Sequence, residues 1–403
     1  MSTMKDVINL ITPGCYLASI DIRQAYYSVP INESHKKFLR FTFNGQNFHF
    51  NVMPNGYRDA MRLFTKILKP AISALRKLGF SCLIYVDDSL LKGDDSKECK
   101  ENVSATEFLL TMLGFHINYD KSILDPSQII IFLGMLFNTV QMSLRLIEKK
   151  RVKLIAKCHK ILQSRSPTIK EVASLLGSIC AAFEAVPFGR VNYRLLELDK
   201  IRSLKKSRGN FNGICSISPG GKENILWWIH NLPTAVRSLL PEPKVDYTIF
   251  TDASKEGYGG HDQVKDFNGL WPFSTRDIHI NILEMKAINL ALHYFLPQKQ
   301  VKHVRIMTDN NTSVAYINKM GGTKSPECND LASESWRLAQ KFNCHLSACH
   351  IPGQHNLLAD YKSRQFHDSA EWSLHPKMFD YIVKKLGIPN VDLFASHENY
   401  QIK

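Results

Sequence analysis

The spacing of hydrophobic and polar positions changes several times along the chain. Residues 16–20 (YLASI) form a short apolar run that predicts a strand ending on Asp21. Residues 38–52 (FLRFTFNGQNFHFNV) alternate aromatic and polar positions around Asn44-Gly45, the signature of a hairpin. Over residues 58–78 the spacing turns helical, with Leu63, Ile67, Ile72 and Leu75 on one face. Residues 81–93 (SCLIYVDDSLLKG) then predict a second hairpin with Asp87 and Asp88 at its turn. A helix near residues 97–113 and strands near 115–117 and 129–137 follow.

Residues 141–204 read as helical, with Leu146, Leu154, Ile155, Ile161 and Leu162 in apolar stripes. Ser166-Pro167-Thr168 breaks the run, and Thr168 with Glu171 predicts a capped second helix. Residues 205–222 (KKSRGNFNGICSISPGGK) have the composition of a loop or linker. A second α/β pattern follows: a strand at 245–251, a hairpin through Tyr258-Gly259-Gly260 and residues 267–270, and a helix at 281–296. A strand at 304–308, a helix at 311–320, and a further helix, strand and short helix complete it near Arg364.

Composition adds bounds. The chain has 403 residues, 44% hydrophobic and 22% charged, enough for two to three domains with cores of their own. No apolar stretch is long enough to span a membrane, and the first residues lack a secretory pattern. Nine cysteines without framework spacing predict free thiols in a reducing, intracellular setting, cytoplasm and/or nucleus, and not a secreted protein. The net charge of +14 suits a polyanionic partner. Residues 145–208 hold 16 Lys/Arg against five Asp/Glu, so most of the excess lies in one segment, which a solvated helical face explains as well as a nucleic acid does.

Carboxylates beside apolar strands are costly unless their charge is compensated, and divalent metal ions do this. Asp21 at one strand end and Asp87-Asp88 on a later hairpin have the layout of a two-metal phosphoryl-transfer site, which holds its ions about 3.5–4 Å apart. Asp21 and Asp87 are the candidate metal ligands, with Asp88 in support; Asp21 also suits a helix cap.

The blocks ASIDIRQAYYSVPI, FTFNGQNFHFNVMPNGYRDAMRLFTKIL, YVDDSLL, GFHINYDKS and IIIFLGMLF stand in the order seen in retroelement reverse transcriptases. The chain resembles LTR-type and DIRS-like retrotransposon polymerases. The resemblance implies that Tyr26 is the ring under the incoming sugar, excluding a 2′-hydroxyl, although a plain core role also fits it. It implies that Asn55-Gly56 contacts nucleotide and template, and that Lys121 is the lysine following the catalytic hairpin. Two departures stand out. Asn55-Gly56-Tyr57 replaces the usual Phe-Gly-Leu after Met-Pro, and the chain begins about 20 residues before Asp21, so the family's fingers, with their triphosphate-gripping cations, are expected upstream of it.

Further on, Asp252 ends a predicted strand, Glu284 lies on a helix, Asp309 ends another strand and Asp360 lies in HIPGQHNLLADYKSR. Four carboxylates from separate elements can converge on one metal-binding site. The segments TDAS, LEMKA, TDNNTSVAY and HIPGQHNLLAD resemble the RNase H domains fused to retroelement polymerases. Asp309 also fits a helix cap, and His355 fits either a proton shuttle or a polar loop. The basic stretch between the two patterns then resembles a thumb and connection, in which Lys149, Lys150, Arg151 and Lys153 would meet phosphates.

The expected fold is α+β: a polymerase palm with truncated fingers and a helical thumb, followed by an α/β RNase H-like domain with a mixed sheet. The expected domains are residues 1–140 (palm), 141–204 (thumb), 205–244 (linker or connection), 245–366 (RNase H-like) and 367–403 (a tail of unassigned role). The resemblance implies Mg²⁺ or Mn²⁺, two per site, and as partners an RNA template, a DNA primer, an RNA–DNA hybrid and deoxynucleoside triphosphates. Two alternatives stay open: a fragment keeping only the nuclease, or a decayed nucleic-acid-binding protein. Cys344, His345, Cys349 and His350 match no zinc spacing.

Overall fold

A computed structural model describes residues 3–275, 277–364 and 374–391. The chain forms two compact units, Met1–Lys244 with Lys319–Asn329, and Val245–Asn318 with Asp330–Lys403.

The first unit opens with helix α1 (Met4–Leu10) and strand β1 (Tyr16–Asp21). A short helix α2 (Glu33–Lys36) precedes the hairpin of β2 (Arg40–Phe43) and β3 (Gln46–His49). The hairpin turns at Asn44-Gly45, both at positive φ, as the Asn-Gly pair predicts. Helix α3 (Ala60–Lys77) leads to β4 (Ser81–Tyr85) and β5 (Asp88–Gly93), and helix α4 (Ser96–Met112) to β6 (Ile123–Ser127). These strands form a sheet in the order β4-β5-β1-β6. Side chains alternate across a strand. Leu17, Leu83 and Leu90 enter one core, while Ala18, Ile20, Ile84 and Leu91 enter a second with Phe64 and Leu68 of α3. The sheet that carries Asp21 and Asp88 is thus packed on both faces.

Three expectations are corrected within residues 58–137. The buried stripe of α3 runs Ala60, Phe64, Leu68, Ile72 and Leu75, whereas Ile67 is 45% exposed. Apolar residues one position off a 3.6-residue stripe look alike in sequence but point about 100° away. The segment 115–117 makes only a single bridge, Ile117 to Ile22, and the strand beside β1 is β6. The expected strand at 129–137 is a hairpin of β7 (Ile129–Phe132) and β8 (Met135–Asn138), turning at Leu133-Gly134 with both residues at positive φ. Leucine rarely adopts that conformation, so the turn carries no sequence signal.

Strand β9 (Ser143–Leu146) pairs with β8, so the chain crosses residues 140–141 inside a hairpin rather than at a boundary. Helices α5 (Glu148–Gln163), α6 (Ile169–Ala182), α7 (Arg194–Lys206) and α8 (Pro219–Asn231) follow. Thr168 and Glu171 cap α6 reciprocally. Residues 205–244 are not a linker. Cys215, Ile225, Trp228, Leu232 and Leu239 are buried in the core, and β10 (Arg237–Ser238) adds to the sheet β10-β9-β8-β7. The Gly-Ser-Pro composition instead marks the start of α8, where the Ser218 hydroxyl accepts from Gly221 N at 3.1 Å and Pro219 opens the helix.

The second unit holds β11 (Tyr247–Ala253), β12 (Gly257–His261), β13 (Asp266–Leu270), helix α9 (Ile280–Phe295) and β14 (His303–Thr308). Helices α10 (Asn311–Asn318) and α11 (Pro326–Lys341), strand β15 (His345–His350) and helix α12 (Leu357–Arg364) follow. The sheet runs β13-β12-β11-β14-β15, with β14 parallel to both β11 and β15 and the other pairs antiparallel. This is the expected mixed sheet with helices. Helix α13 (Pro376–Leu386) is described in the tail, but residues 367–373 and 392–403 of the expected 367–403 segment, and residues 365–366 before it, lie outside the described residues. Among the described residues no helix is long and apolar enough to cross a membrane.

Two candidate carboxylate sites

The β4–β5 hairpin turns tightly through Val86 and Asp87. Tyr85 pairs with Asp88, and Val86 sits at φ 60. A β-branched residue there costs about 1–3 kcal/mol, a strain typical of functional turns. The register sets Asp21 directly across from Asp88, and Ile22 N donates to Asp87 O at 3.0 Å. Asp21 is itself fixed from the loop before β6: its N–H donates to Ser122 Oγ at 3.0 Å, and Asn118 N donates to its carbonyl at 2.8 Å. Burial, then the charges of Asp87 and Asp21, push the Asp88 carboxyl up to about 6, while the exposed Lys121 pulls the other way. Tyr26 packs edge-on against Phe64 at 5.9 Å, and burial together with the Asp87 charge raises its phenol. Asn55 is exposed and donates to Tyr27 Oη at 3.4 Å; Gly56 takes φ 92, which favours glycine.

The structure therefore groups Asp21, Asp87 and Asp88 with Tyr26 and Lys121, and ties Asn55 to the neighbour of Tyr26. Sequence reasoning missed Asn118 and Ser122, whose contacts to Asp21 run through backbone groups and leave no pattern. Three mutually repelling carboxylates beside one lysine are a donor set that fits a divalent cation.

In the second unit Asp252 (β11) and Glu284 (α9) are buried, and Asp309 follows β14 half-buried. Their ligand oxygens lie within 4.8 Å of one another, the only such group among the described residues. Ser363 Oγ donates to Asp252 Oδ2 at 2.7 Å. Burial, then the charges of Asp309 and Asp360 against that hydrogen bond, leave Asp252 at about 6. Glu284 is pushed to about 9, first by burial and then by Asp252 and Asp309. Its Oε2 is buried without a hydrogen-bond partner. An orphaned carboxylate oxygen facing two more carboxylates fits a hard cation with oxygen ligands.

Asp360 falls outside this close group. Arg364 Nε donates to its Oδ1 at 2.7 Å, and the cluster raises the Arg364 guanidinium in turn. Arg364 was not anticipated, although the i,i+4 spacing from Asp360 could have suggested it. A methyl added at Gly353 would stand 3.1 Å from Asp309 Oδ2, so the turn that carries the exposed His355 passes close to the site.

The basic candidates on α5 divide. Lys149 and Lys153 are exposed, and Lys150 Nζ donates to Leu133 O at 3.1 Å. Arg151, also expected at a phosphate, is engaged within the chain. It pairs with Glu148 and donates to Pro233 O at 2.9 Å.

The sheet β4-β5-β1-β6, in which β1 faces a carboxylate-tipped hairpin, has the arrangement of a polymerase palm. Residues 2–137 match the family model described as reverse transcriptase (RNA-dependent DNA polymerase), and the chain carries a reverse transcriptase domain of the retroelement kind. It is 22% identical over 379 residues to the enzymatic polyprotein of Figwort mosaic virus (strain DxS), covering 91% of this chain and 53% of that protein. It is 23% identical over 240 residues to the Gag-Pol polyprotein of Walleye dermal sarcoma virus, covering 59% of this chain and 13% of that protein. Among solved structures, the foamy viral protease-reverse transcriptase in complex with double-stranded DNA is 16% identical, with a TM-score of 0.48, over 87% of this chain and 59% of that one. The chain spans about half the length of the Figwort mosaic virus relative.

Proposed function

We propose that this chain acts as a retroelement reverse transcriptase/ribonuclease H. It makes DNA on an RNA or DNA template at Asp21, Asp87 and Asp88, and hydrolyses the RNA of RNA–DNA hybrids at Asp252, Glu284, Asp309 and Asp360. The observation that carries the reading is the pairing of Asp21 with Asp88, beside Asp87, inside the segment that matches the reverse transcriptase family.

Asp21 and Asp87 would hold Mg²⁺ or Mn²⁺ in the first site, and Asp252, Glu284, Asp309 and Asp360 in the second, two ions in each. Such ions supply Lewis acidity and lower the pKa of an attacking oxygen. The chain's own residues position the reactants. In the first site the primer 3′-hydroxyl gives its proton to water, its oxygen bonds the α-phosphorus, and the bond from that phosphorus to the oxygen bridging to the β-phosphate breaks to release pyrophosphate. Tyr26, beside Asp87, floors the sugar pocket against a 2′-hydroxyl, Asn55-Gly56 meets nucleotide and template, and Lys121 offsets charge at Asp88. In the second site water attacks the phosphorus and the bond to the 3′-oxygen breaks, that oxygen taking a proton. Lys149, Lys150 and Lys153 meet phosphates of the template–primer. The work is placed inside the cell, in cytoplasm and/or nucleus, in keeping with nine free cysteines.

A second reading, a nuclease alone, is favoured by one observation: only the Asp252, Glu284 and Asp309 oxygens are already gathered within 4.8 Å among the described residues. One preparation separates the two. Primer extension on RNA with Mg²⁺ and deoxynucleotides is expected, and it is lost in Asp87→Asn while hybrid cleavage persists. Cleavage lost in Asp252→Asn, with no extension by the unchanged chain, selects the nuclease alone.

A further inference from the structure

Helix α12 is fastened to the sheet of the second unit at both ends. Just before its first residue, Asn356 Nδ2 donates to Thr251 O at 3.0 Å. In its last turn, Ser363 Oγ donates to Asp252 Oδ2 at 2.7 Å, and Ser254 Oγ donates to Ser363 O at 2.6 Å. Lys362 pairs with Asp266 of β13 at 2.6 Å. A methyl added at Gly259 of β12 would stand 2.6 Å from Ser363 N, so the two backbones meet with no space between them. The helix is fixed, and what is left to move around Asp360 is its side chain. Asp360 lies outside the group formed by Asp252, Glu284 and Asp309, yet near enough for its charge to act on Asp252. Its Oδ1 accepts from Arg364 Nε at 2.7 Å, and the Arg364 side chain is 62% exposed. An exposed i,i+4 ion pair adds little stability, and α12 is held without it. The guanidinium answers the carboxylates instead: Asp360 raises it most, and Asp252 and Asp309 add to the shift.

The geometry points to Arg364 as a positioning residue of the second site: its guanidinium is a tethered counter-cation that holds Asp360 aside and yields it to a divalent ion. The proposal rests on the reading of this site as a cation site. A divalent ion among four carboxylates and a guanidinium on one of them repel each other, so each weakens the hold of the other. That coupling is reciprocal by linkage. Asp360 then has a positive partner in both states, Arg364 without the ion and the ion once bound, and is never left as an unpaired charge beside three others. Released, Arg364 stays at the C-terminal turn of α12, where the helix dipole favours a cation. The exchange makes and breaks no covalent bond.

Mn²⁺ calorimetry on the full chain tests this, with Asp21→Asn and Asp87→Asn as the background so that the heat reports the second site. Arg364→Gln is expected to bind Mn²⁺ about three- to tenfold tighter than that parent. Arg364→Lys keeps the charge and should stay nearer the parent. With Asp360→Asn added, the gain from Arg364→Gln should shrink to about twofold or less, because the guanidinium then has no carboxylate to hold back. Arg364 is exposed, so an unchanged melting temperature in chelator checks that each variant folds. Equal or weaker Mn²⁺ affinity in Arg364→Gln overturns the proposal. So does a gain that persists in full beside Asp360→Asn, which would make Arg364 a general charge and not the partner of Asp360. If no variant binds Mn²⁺, the cation-site reading fails and the proposal with it. Binding without hybrid cleavage counts against the nuclease reading alone and leaves the affinities to judge Arg364.

Discussion

At the residue scale Glu284 is a side chain under electrostatic stress. It is 3% exposed, one oxygen has no partner, and burial with two neighbouring aspartates lifts its carboxyl to about 9. An unfolded glutamate releases its proton near the ordinary value of 4.5. Between that value and about 9 the folded chain holds a proton that the unfolded chain has lost. Stability from this group is therefore full below the unfolded pKa and is lost as pH rises through the folded one. Asp252 adds the same sign between 3.8 and about 6. In chelator, the melting temperature should fall by several degrees from about pH 5 to about pH 9. Glu284→Gln should flatten most of that slope. Mg²⁺ or Mn²⁺, which bind the ionised carboxylates, should raise the melting temperature most at the alkaline end. A melting temperature indifferent to both pH and metal would show that these carboxylates do not form a cation site. Asp252, Glu284 and Asp309 were legible because each stands at the end of a strand or on a helix with clear periodicity. Ser363 was not, because it reaches Asp252 across 111 residues of sequence, a contact that only the fold supplies.

At the element scale α8 shows how composition misleads. Its first residues, Pro219-Gly220-Gly221, have poor helix propensity, and what precedes them reads as loop. The helix exists because its other face is buried. Ile225 and Trp228 are fully inside, and Trp228 Nε1 donates to Asn192 O at 2.8 Å. A linker would tolerate loss of that ring. A core helix would not: Trp228→Ala should cost about 3–5 kcal/mol, read as a fall in the denaturation midpoint. A change below about 0.5 kcal/mol, as at an ordinary surface site, would return these residues to the linker class. Hairpins divide on the same ground. Asn44-Gly45 was legible from local chemistry, since both residues tolerate positive φ. Leu133-Gly134 was not, because tertiary packing imposes that conformation on a leucine. The Asp87 hairpin was legible through its flanking apolar strands, while the strain at Val86 was not.

At the scale of the whole molecule the charge is +14, concentrated in residues 145–208, and sequence alone could not separate phosphate contacts from a solvated face. The structure sorts the α5 residues. Lys149 and Lys153 are exposed, whereas Arg151 is engaged by Glu148 and Pro233 O and its side chain is 20% exposed. Each phosphate neutralised releases counterions, so each contact adds about 0.9 to the slope of log affinity against log salt on a B-form duplex. If both lysines meet the duplex, Lys149→Gln with Lys153→Gln should lower that slope by nearly two and weaken binding at low salt, with stability unchanged. Arg151→Gln should do the reverse. It leaves Glu148 and the Pro233 carbonyl without their donor, so the melting temperature falls while the slope stays within one contact of wild type. Duplex binding measured across a salt series, with a melt on each variant, distinguishes the two patterns. A slope unchanged by the double lysine variant would assign the basic face of α5 to solvent and move the duplex contacts elsewhere on the chain.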